Sequence, residues 1–454
     1  MQIQLARGMG SEDPMPRALP RRGGTATRRL AFALSLALAA TGAAFLPKAL
    51  GAGRSVASPA IHTGTAPARS AIEALQARLR AVPADAAAWA ALGSSYVQQA
   101  RITGDPTWYP KAEASLRRSL ELRPGRNASA LSGLGALAAA RHDFAGALRW
   151  ATRARHADPY DAAAYGVAGD ALIELGRYAE AFSTVQRMVD LRPGLSSYAR
   201  VSYVWELRGN LTNARAALDL ALQAASTPSD AAFAAYYLGE LEWNRGDVAG
   251  AEAWYRQSAA RDATYIPALQ GLAKIDAARG RIDEAVARYE VVVQRLPLPQ
   301  YIAELADLYE VAGDTAGRQR TTELLTVQEE LFRANGVNID LEQALFDADH
   351  GLHLAAGLRA ARAEWARRKS VFVADALAWA LHANHRDREA LVFARRALHL
   401  GTRNASFFFH RGMIERSLGL HTAARRDLAL ALRINPNFSF RWAPMVRRLL
   451  RDLR

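Results

Sequence analysis

Apolar and small side chains recur every three or four positions through two segments of the stretch from Ala162 to Pro193. With an interruption at residues 175–177, this pattern predicts two amphipathic helices joined by a tight turn. Gly176 is suited to the turn because glycine ends a helix at no steric cost, and Pro193 ends the second helix because it has no backbone N–H to donate. Gly169 and Ala181 are small where the two helices are predicted to approach most closely. The stretch is therefore predicted to form a helical hairpin.

The same pattern recurs along the chain, and segments that begin near residues 128, 162, 232, 266, 337, 371 and 405 pair up at 34-residue intervals. One hairpin cannot bury both of its faces alone, so the copies are expected to stack into one elongated body. The copy at 337–370 keeps Ala344, Gly351 and Ala356 but lacks the aromatic residues. It is the most degenerate copy.

The spacing within the hairpin resembles that of the tetratricopeptide repeat. The matching residues occupy places 4, 8, 11, 15, 17, 20 and 32 of a 34-residue frame, and they are Tyr165, Gly169, Leu172, Gly176, Tyr178, Ala181 and Pro193. Trp89, Leu92, Gly93 and Tyr96 match the first helix of the family in the same way. The resemblance implies an all-α protein, an α-solenoid with a right-handed superhelix of about ten repeats.

The repeats divide the chain into predicted segments. Repeats 1–7 are assigned to residues 70–336, repeats 8–10 to residues 337–436, and a capping helix to residues 437–454, which is apolar on one face and basic on the other. The boundary is placed at 336 because the repeat spacing lengthens around 321–336, next to the degenerate copy. A further insertion of about seven residues between the helices of the first repeat is expected to form a loop.

The amino-terminal part of the chain has a different pattern. Residues 1–29 are expected to be a disordered basic leader, and the uncharged apolar run at residues 30–46 is expected to be a signal peptide or a transmembrane helix. Residues 47–69 are expected to be a flexible linker. Because basic residues precede the apolar run, the repeats are expected to be exported to the cell envelope, the periplasm or the exterior, anchored or secreted. The alternative is that 30–46 is a core helix of the array.

Composition narrows the possible chemistry. The chain has no cysteine, which excludes disulfides, cysteine nucleophiles and thiolate metal sites. Its net charge of +14 suggests an anionic partner, but 54 of its 58 basic residues are arginines, a bias that a GC-rich genome would also produce. The charge is also uneven, at +10 over residues 1–231, −9 over 232–350 and +13 over 351–454. We therefore expect no nucleic-acid partner.

The resemblance implies a binding site in the concave groove, where members of the family usually hold extended peptides along places 2, 5, 9, 12 and 13 of each first helix. In repeats three to five those places carry aromatic and acidic residues, and the candidate residues are Asp170, Glu174, Tyr203, Glu206, Phe233, Tyr236, Glu240, Trp243 and Asn244. Aromatic anchors flanked by carboxylates suit a peptide with a hydrophobic side chain and a lysine or arginine. The alternative is that the three rings at 233, 236 and 243 simply pack between helices.

Together these features predict a protein-protein interaction scaffold without enzymatic activity, cofactor or small-molecule substrate, whose partner is a peptide or protein. The protein is expected to contact a membrane only through its amino-terminal segment. The alternative is a cytoplasmic regulatory or nucleic-acid-associated adaptor that uses the basic carboxy-terminal face. A third possibility is a metal site at the histidine pairs His350 with His353 and His382 with His385.

Overall fold

A computed structural model describes residues 65–452, and this part of the chain folds into 22 α-helices without a β-strand. The leading helix, α1, spans Thr65–Ala81. The first helices of the ten hairpins are α2 (Ala86–Thr103), α4 (Ala128–Ala140), α6 (Ala162–Glu174), α8 (Leu195–Leu207), α10 (Pro228–Asn244), α12 (Ile266–Ala278), α14 (Pro299–Ala312), α16 (Asp340–His350), α18 (Val371–Ala383) and α20 (Ala405–Ser417). Their second helices are α3 (Trp108–Leu122), α5 (Phe144–Ala157), α7 (Tyr178–Leu191), α9 (Leu211–Gln223), α11 (Val248–Arg261), α13 (Ile282–Arg295), α15 (Thr315–Ala334), α17 (Leu354–Arg367), α19 (Asp387–Ala397) and α21 (His421–Ile434), and α22 (Trp442–Asp452) follows them. The predicted all-α solenoid of repeats is confirmed.

The third hairpin shows why the repeat residues are needed. Asp161 caps α6 by accepting a hydrogen bond from the Ala163 amide at 3.0 Å. Gly176 takes a left-handed backbone with φ of 77°, which glycine adopts without strain. A Cβ on Gly169 would lie 2.8 Å from the Val185 side chain, and Ala181 is fully buried. The two helices therefore approach as closely as the sequence predicted.

The small residue near the start of the second helix forms a continuous line through the array. It is fully buried in seven hairpins, as Ala147, Ala181, Ala214, Ala251, Ala285, Ala390 and Ala424. In the degenerate eighth hairpin Ala356 is exposed and the neighbouring Gly357 is buried instead. His353, which has φ of 40°, lies just before α17 in this hairpin. The frame therefore shifts by one residue there.

Extra residues lengthen helices more than loops. In the first hairpin, residues 101–103 continue α2, and only 104–107 separate it from α3, so the predicted loop is shorter than expected. The long spacing around 321–336 corresponds to α15, a helix of 20 residues. Each insertion therefore extends the stacked surface.

The hairpin turns in the first half of the array lie directly against loops between hairpins in the second half. Six hydrogen bonds join residues that are 192 to 196 positions apart: Arg141 with Asn335, His142 with Asn338, Glu174 with Arg368, Tyr178 with Val371, Leu207 with Thr402, and Trp243 with Asn435. Gln328 also donates to the Gly104 carbonyl, 224 positions earlier. Each of the six bonds joins the turn within one hairpin to the loop between two hairpins 11 helices later, which corresponds to about 5.5 hairpins per turn of the superhelix. Successive turns of the superhelix are therefore in contact with each other, so the elongated body expected from the repeats is a tightly wound superhelix.

One of these inter-turn contacts contains a buried cluster of charges. Arg368 donates to Glu174 at 2.6 Å and also to Glu364, and its side chain is only 2% exposed. Beside it, the Val371 amide donates to the Tyr178 hydroxyl at 2.8 Å. Because a buried charge is costly without a partner, this cluster fixes how the two turns are placed against each other.

Candidate functional site

The candidate residues of the fifth repeat lie on one face of α10. This helix begins at Pro228 after Thr227, whose side chain accepts a hydrogen bond from the Asp230 amide at 3.0 Å. The five candidates on this helix follow at intervals of three or four residues or lie next to each other, so they share the face that points to the interior of the superhelix. They are Phe233, Tyr236, Glu240, Trp243 and Asn244.

The three rings are largely covered by protein. Tyr236 is 4% exposed and Trp243 is 2% exposed, and Phe233 packs against Tyr237 with 4.6 Å between ring centroids and an angle of 53° between the ring planes. Phe233 and Tyr236 nevertheless form part of the wall of an interior cavity, and Trp243 forms part of the wall of a second one. Asn244 is buried, borders neither cavity, and finds no hydrogen-bond partner for its side chain within residues 65–452.

The first cavity, which we call the tyrosine cavity, has a volume of about 340 Å³. Its aromatic lining is Tyr109, Phe233, Tyr236, Tyr237, Tyr265, Tyr301 and Phe332. Arg101 from the extended end of α2 also borders it, and burial lowers the pKa of this guanidinium, whereas the neighbouring tyrosine hydroxyls raise it. Burial raises the pKa of Tyr236 and Tyr301 well above the usual value, so both hydroxyls are neutral hydrogen-bonding groups.

The second cavity, which we call the acidic cavity, has a volume of about 210 Å³ and lies farther along the superhelix. Its lining carries the carboxylates of Glu304, Asp307, Glu329, Glu342 and Asp349. Burial, together with the negative charges of Asp347 and Glu342, raises the pKa of Glu329 to about 7, against the opposing effect of Arg333. Lys274 and two histidines, His350 and His410, also border the cavity, and carboxylates outnumber the cations around it.

The two cavities share part of their walls, at Pro299, Gln300 and Glu342. Both carboxylate oxygens of Glu342 and the side-chain oxygen of Gln300 are buried, and none of them accepts a hydrogen bond from the described residues 65–452. Three acceptor atoms in a wall without donors are suited to a ligand that brings N–H groups.

Most of the candidate carboxylates already have cationic partners in the chain. Asp170 pairs with Arg200 at 2.6 Å, and Glu240 pairs with Lys274 at 2.5 Å. Glu174 belongs to the inter-turn cluster with Arg368. Burial raises the pKa of Asp170 and Glu174, and the paired arginines act in the opposite direction. These carboxylates hold the walls of the interior together.

Glu206 differs from the other candidate carboxylates. It accepts a hydrogen bond from Ser202 at 3.2 Å, and burial raises its pKa to about 8, so it is mostly protonated at neutral pH. The hydroxyl of Tyr203 is buried, with no hydrogen-bond partner among the residues that the structure describes. This pair thus adds neutral polar groups to the inner wall.

The histidine pairs do not converge on each other. His350 lies 3.0 Å from Asp307 of another repeat, and His353 lies 3.3 Å from Asp347. His382 pairs with Asp387 at 2.5 Å. Among the described residues, no group of three or more histidines and carboxylates is arranged to hold a metal ion.

Sequence reasoning missed several wall residues. Tyr265 lies outside the groove places of the family frame, and Glu342 belongs to the degenerate eighth repeat. Gln300 occupies groove place 2 of the seventh repeat, which lies outside the three repeats selected as the site. A second sequence signal was the excess of acidic residues in 232–350.

The predicted signal or transmembrane segment at 30–46 lies outside the described residues. Between residues 65 and 452, no helix combines the length and the apolar character needed to cross a bilayer.

No family model matches the sequence, and no curated protein matches it at the threshold applied. Similar solved structures include the APC/C hetero-tetramer Cut9–Hcn1, at 16% identity over 81% of this chain and 62% of that one, with a TM-score of 0.37. A tetratricopeptide repeat protein from Parabacteroides merdae is 15% identical over 57% of this chain and 98% of its own, with a TM-score of 0.33. A tetratricopeptide repeat protein from Thermus thermophilus is 20% identical over 37% and 91%, also with a TM-score of 0.33.

The chain thus spans less than two thirds of the Cut9–Hcn1 chain that it matches. Two of the three similar structures are tetratricopeptide repeat proteins. The described part of this chain is an all-α solenoid of stacked helical hairpins.

Proposed function

We propose that this protein is a non-enzymatic scaffold that holds an extended segment of a partner protein inside its superhelix. The segment would place an apolar or aromatic side chain in the tyrosine cavity and a lysine or arginine in the acidic cavity. We further propose that the repeats act outside the cytoplasm, with residues 30–46 as the export or anchoring segment.

The observation that carries the proposal is the shared wall of the two cavities. Gln300 and Glu342 present buried acceptor oxygens without donors at the point where an aromatic lining meets an acidic one. A ligand without hydrogen-bond donors would leave these oxygens unpaired, whereas an ammonium or guanidinium group would satisfy them with charge-assisted hydrogen bonds. A volume of about 340 Å³ is within the range of ligand pockets and accommodates a few side chains.

The inter-turn contacts limit how a long peptide could bind. Because successive turns touch, the inner face is not an open groove along its whole length. The bound segment would therefore be short, or the turns would separate when the partner binds. The lining of the tyrosine cavity comes from both turns, through Tyr109 on one side and Phe332 on the other, so the selectivity proposed above applies to a short segment that leaves the turns in contact.

Peptides selected from a displayed random library on the full chain test the proposal. We expect enrichment of an aromatic or large apolar residue followed closely by lysine or arginine. For a synthetic copy of an enriched peptide, Glu342→Gln should weaken binding about tenfold or more, because one charge-assisted hydrogen bond contributes about 1.5 to 3 kcal/mol. Glu342→Gln removes a charge without breaking a hydrogen bond within the described chain.

Glu284→Gln is the matched control, since Glu284 is exposed on α13 and borders neither cavity. It should leave peptide affinity unchanged, and both variants should melt close to the wild type. Enriched peptides without a cationic residue, or equal weakening by both variants, would refute the proposed site.

A further inference from the structure

The carboxy-terminal repeats carry a surface on which arginine is the only exposed charged residue. From residue 395 to residue 451 ten arginines are exposed, and the only two carboxylates in that stretch, Glu415 and Asp427, are buried. The exposed arginines are Arg395, Arg396, Arg403, Arg416, Arg425, Arg426, Arg433, Arg447, Arg448 and Arg451. We call this surface the arginine wall.

Earlier repeats do not show this separation of charge. Their exposed arginines alternate with acidic side chains, and pairs such as Arg117 with Glu113 and Arg177 with Glu180 lie within 2.7 Å. In the arginine wall, Arg395, Arg425 and Arg433 form no ion pair with any residue in 65–452. A genome-wide preference for arginine over lysine would not remove exposed carboxylates from both α20 and α21. The excess positive charge is therefore a local property of this surface.

The wall lies on the outside of the superhelix. Most of its arginines belong to α19, α21 and α22, and no residue of these helices borders the tyrosine cavity. The acidic cavity at this end is bordered by residues of α20 and by Trp442 of α22, but by none of the ten arginines. A ligand on the arginine wall would thus be independent of one held in the interior.

We propose that the arginine wall docks the protein on an anionic phospholipid surface. Lipid phosphates complement guanidinium groups, and each arginine near such a surface strengthens the attraction. Two apolar side chains are exposed among the arginines, Val392 at 51% and Leu420 at 44%, and apolar contacts of this kind enter the headgroup layer. Side-by-side outer helices present a broad surface, which touches a bilayer over a larger area than a nucleic-acid duplex.

The same surface carries few of the groups that accompany arginine in nucleic-acid recognition. Between residues 386 and 451 no asparagine or glutamine is exposed, and no phenylalanine, tyrosine or tryptophan is exposed either. Adenine is read by such amides, and single strands stack on such rings. Nucleic acid would therefore meet only guanidinium groups here, and a comparison with a DNA duplex distinguishes it from a lipid surface.

Vesicle sedimentation of the full chain tests this inference. The probe vesicles are phosphatidylcholine alone and phosphatidylcholine in which about one lipid in four is phosphatidylglycerol. We expect binding that depends on phosphatidylglycerol and falls with added salt. Replacing Arg395, Arg396, Arg425 and Arg433 by glutamine should reduce that binding by about two to three orders of magnitude, given roughly a fivefold contribution per arginine.

The control variant carries glutamine at four exposed arginines of earlier repeats, Arg149, Arg153, Arg187 and Arg256. It has the same net charge as the wall variant and should bind like the wild type. Any binding through residues 30–46 would appear equally on both vesicles and in both variants. Equal losses in the two variants would overturn the proposal, as would tighter arginine-dependent binding to a DNA duplex than to the anionic vesicles.

Discussion

Replacing Gly176 by alanine should separate two turns of the superhelix. The backbone of Gly176 has φ of 77°, and a Cβ there would lie 2.5 Å from the carbonyl oxygen of Lys369 in the next turn. Gly280 has φ of 78° in an equivalent turn, but a Cβ there would meet no atom within 4 Å. Gly280→Ala is therefore a matched control, because it has the same backbone strain and no inter-turn contact.

The expected magnitudes follow from these two environments. Alanine in the left-handed region costs roughly 1 to 2 kcal/mol, and both variants carry this cost. Normal contact for the new methyl group of Gly176→Ala requires the turns to move apart by about 1 Å. The Val371 amide lies 2.8 Å from the Tyr178 hydroxyl and Arg368 lies 2.6 Å from Glu174, so the movement would break or weaken both bonds. We expect an additional loss of about 2 to 4 kcal/mol.

Amide hydrogen exchange and urea unfolding measure this effect. Exchange at the Val371 amide should become faster in Gly176→Ala and remain at the wild-type rate in Gly280→Ala. Exchange is the sharper measurement, because a long repeat array need not unfold in a single cooperative transition. Gly209→Ala should behave like Gly176→Ala, since its Cβ would lie 2.5 Å from the carbonyl oxygen of Gly401. Equal destabilisation by Gly176→Ala and Gly280→Ala, with unchanged exchange at Val371, would show that the turns do not touch in solution.

Two further predictions concern the inner wall. Burial raises the pKa of Glu206 to about 8, so the folded state keeps a proton that the unfolded chain releases above its ordinary pKa of 4.5, and the free energy of unfolding should fall as the pH rises from about 5 to 8. Glu206→Gln should make this pH dependence weaker, as measured by urea midpoints across the same range. An unchanged slope would exclude Glu206 as its source. Tyr236→Ala combined with Trp243→Ala should lower the free energy of unfolding by about 6 kcal/mol or more, because each ring is at least 96% buried and truncating a large aromatic residue costs about 3 to 5 kcal/mol. A double variant that melts like the wild type would show that the rings are not part of the core.

The 34-residue pattern was sufficient to predict the hairpins. It placed the turn at Gly176 and the small contacts at Gly169 and Ala181, because these depend only on neighbours within one repeat. It could not predict how many repeats complete one turn, since that number depends on small rotations accumulated over many hairpins. Residues such as Asn335, Thr402 and Asn435 therefore look like ordinary loop residues in the sequence, although each binds a turn about 194 positions earlier.

The candidate site was predictable to a similar extent. The family frame selected the face of α10 on which Phe233, Tyr236 and Glu240 border the tyrosine cavity, and their role in binding stays a prediction. It did not reveal that Glu174 forms an ion pair between two turns of the superhelix, because its partner Arg368 is remote in sequence. It also missed Glu342, which faces both cavities from a repeat that had lost the family's aromatic residues.

The inter-turn hydrogen bonds have a consequence for how this array could change in length. Inserting or deleting one hairpin between residues 243 and 335 would place each earlier hairpin turn against the loop of a different hairpin, so Gly176 would no longer face the Lys369 carbonyl. Repeats added after the last contact, at residue 435, would leave all the existing pairs in place. The pitch of the superhelix thus fixes the number of hairpins in the middle of the array, whereas hairpins added after residue 435 would not break these contacts.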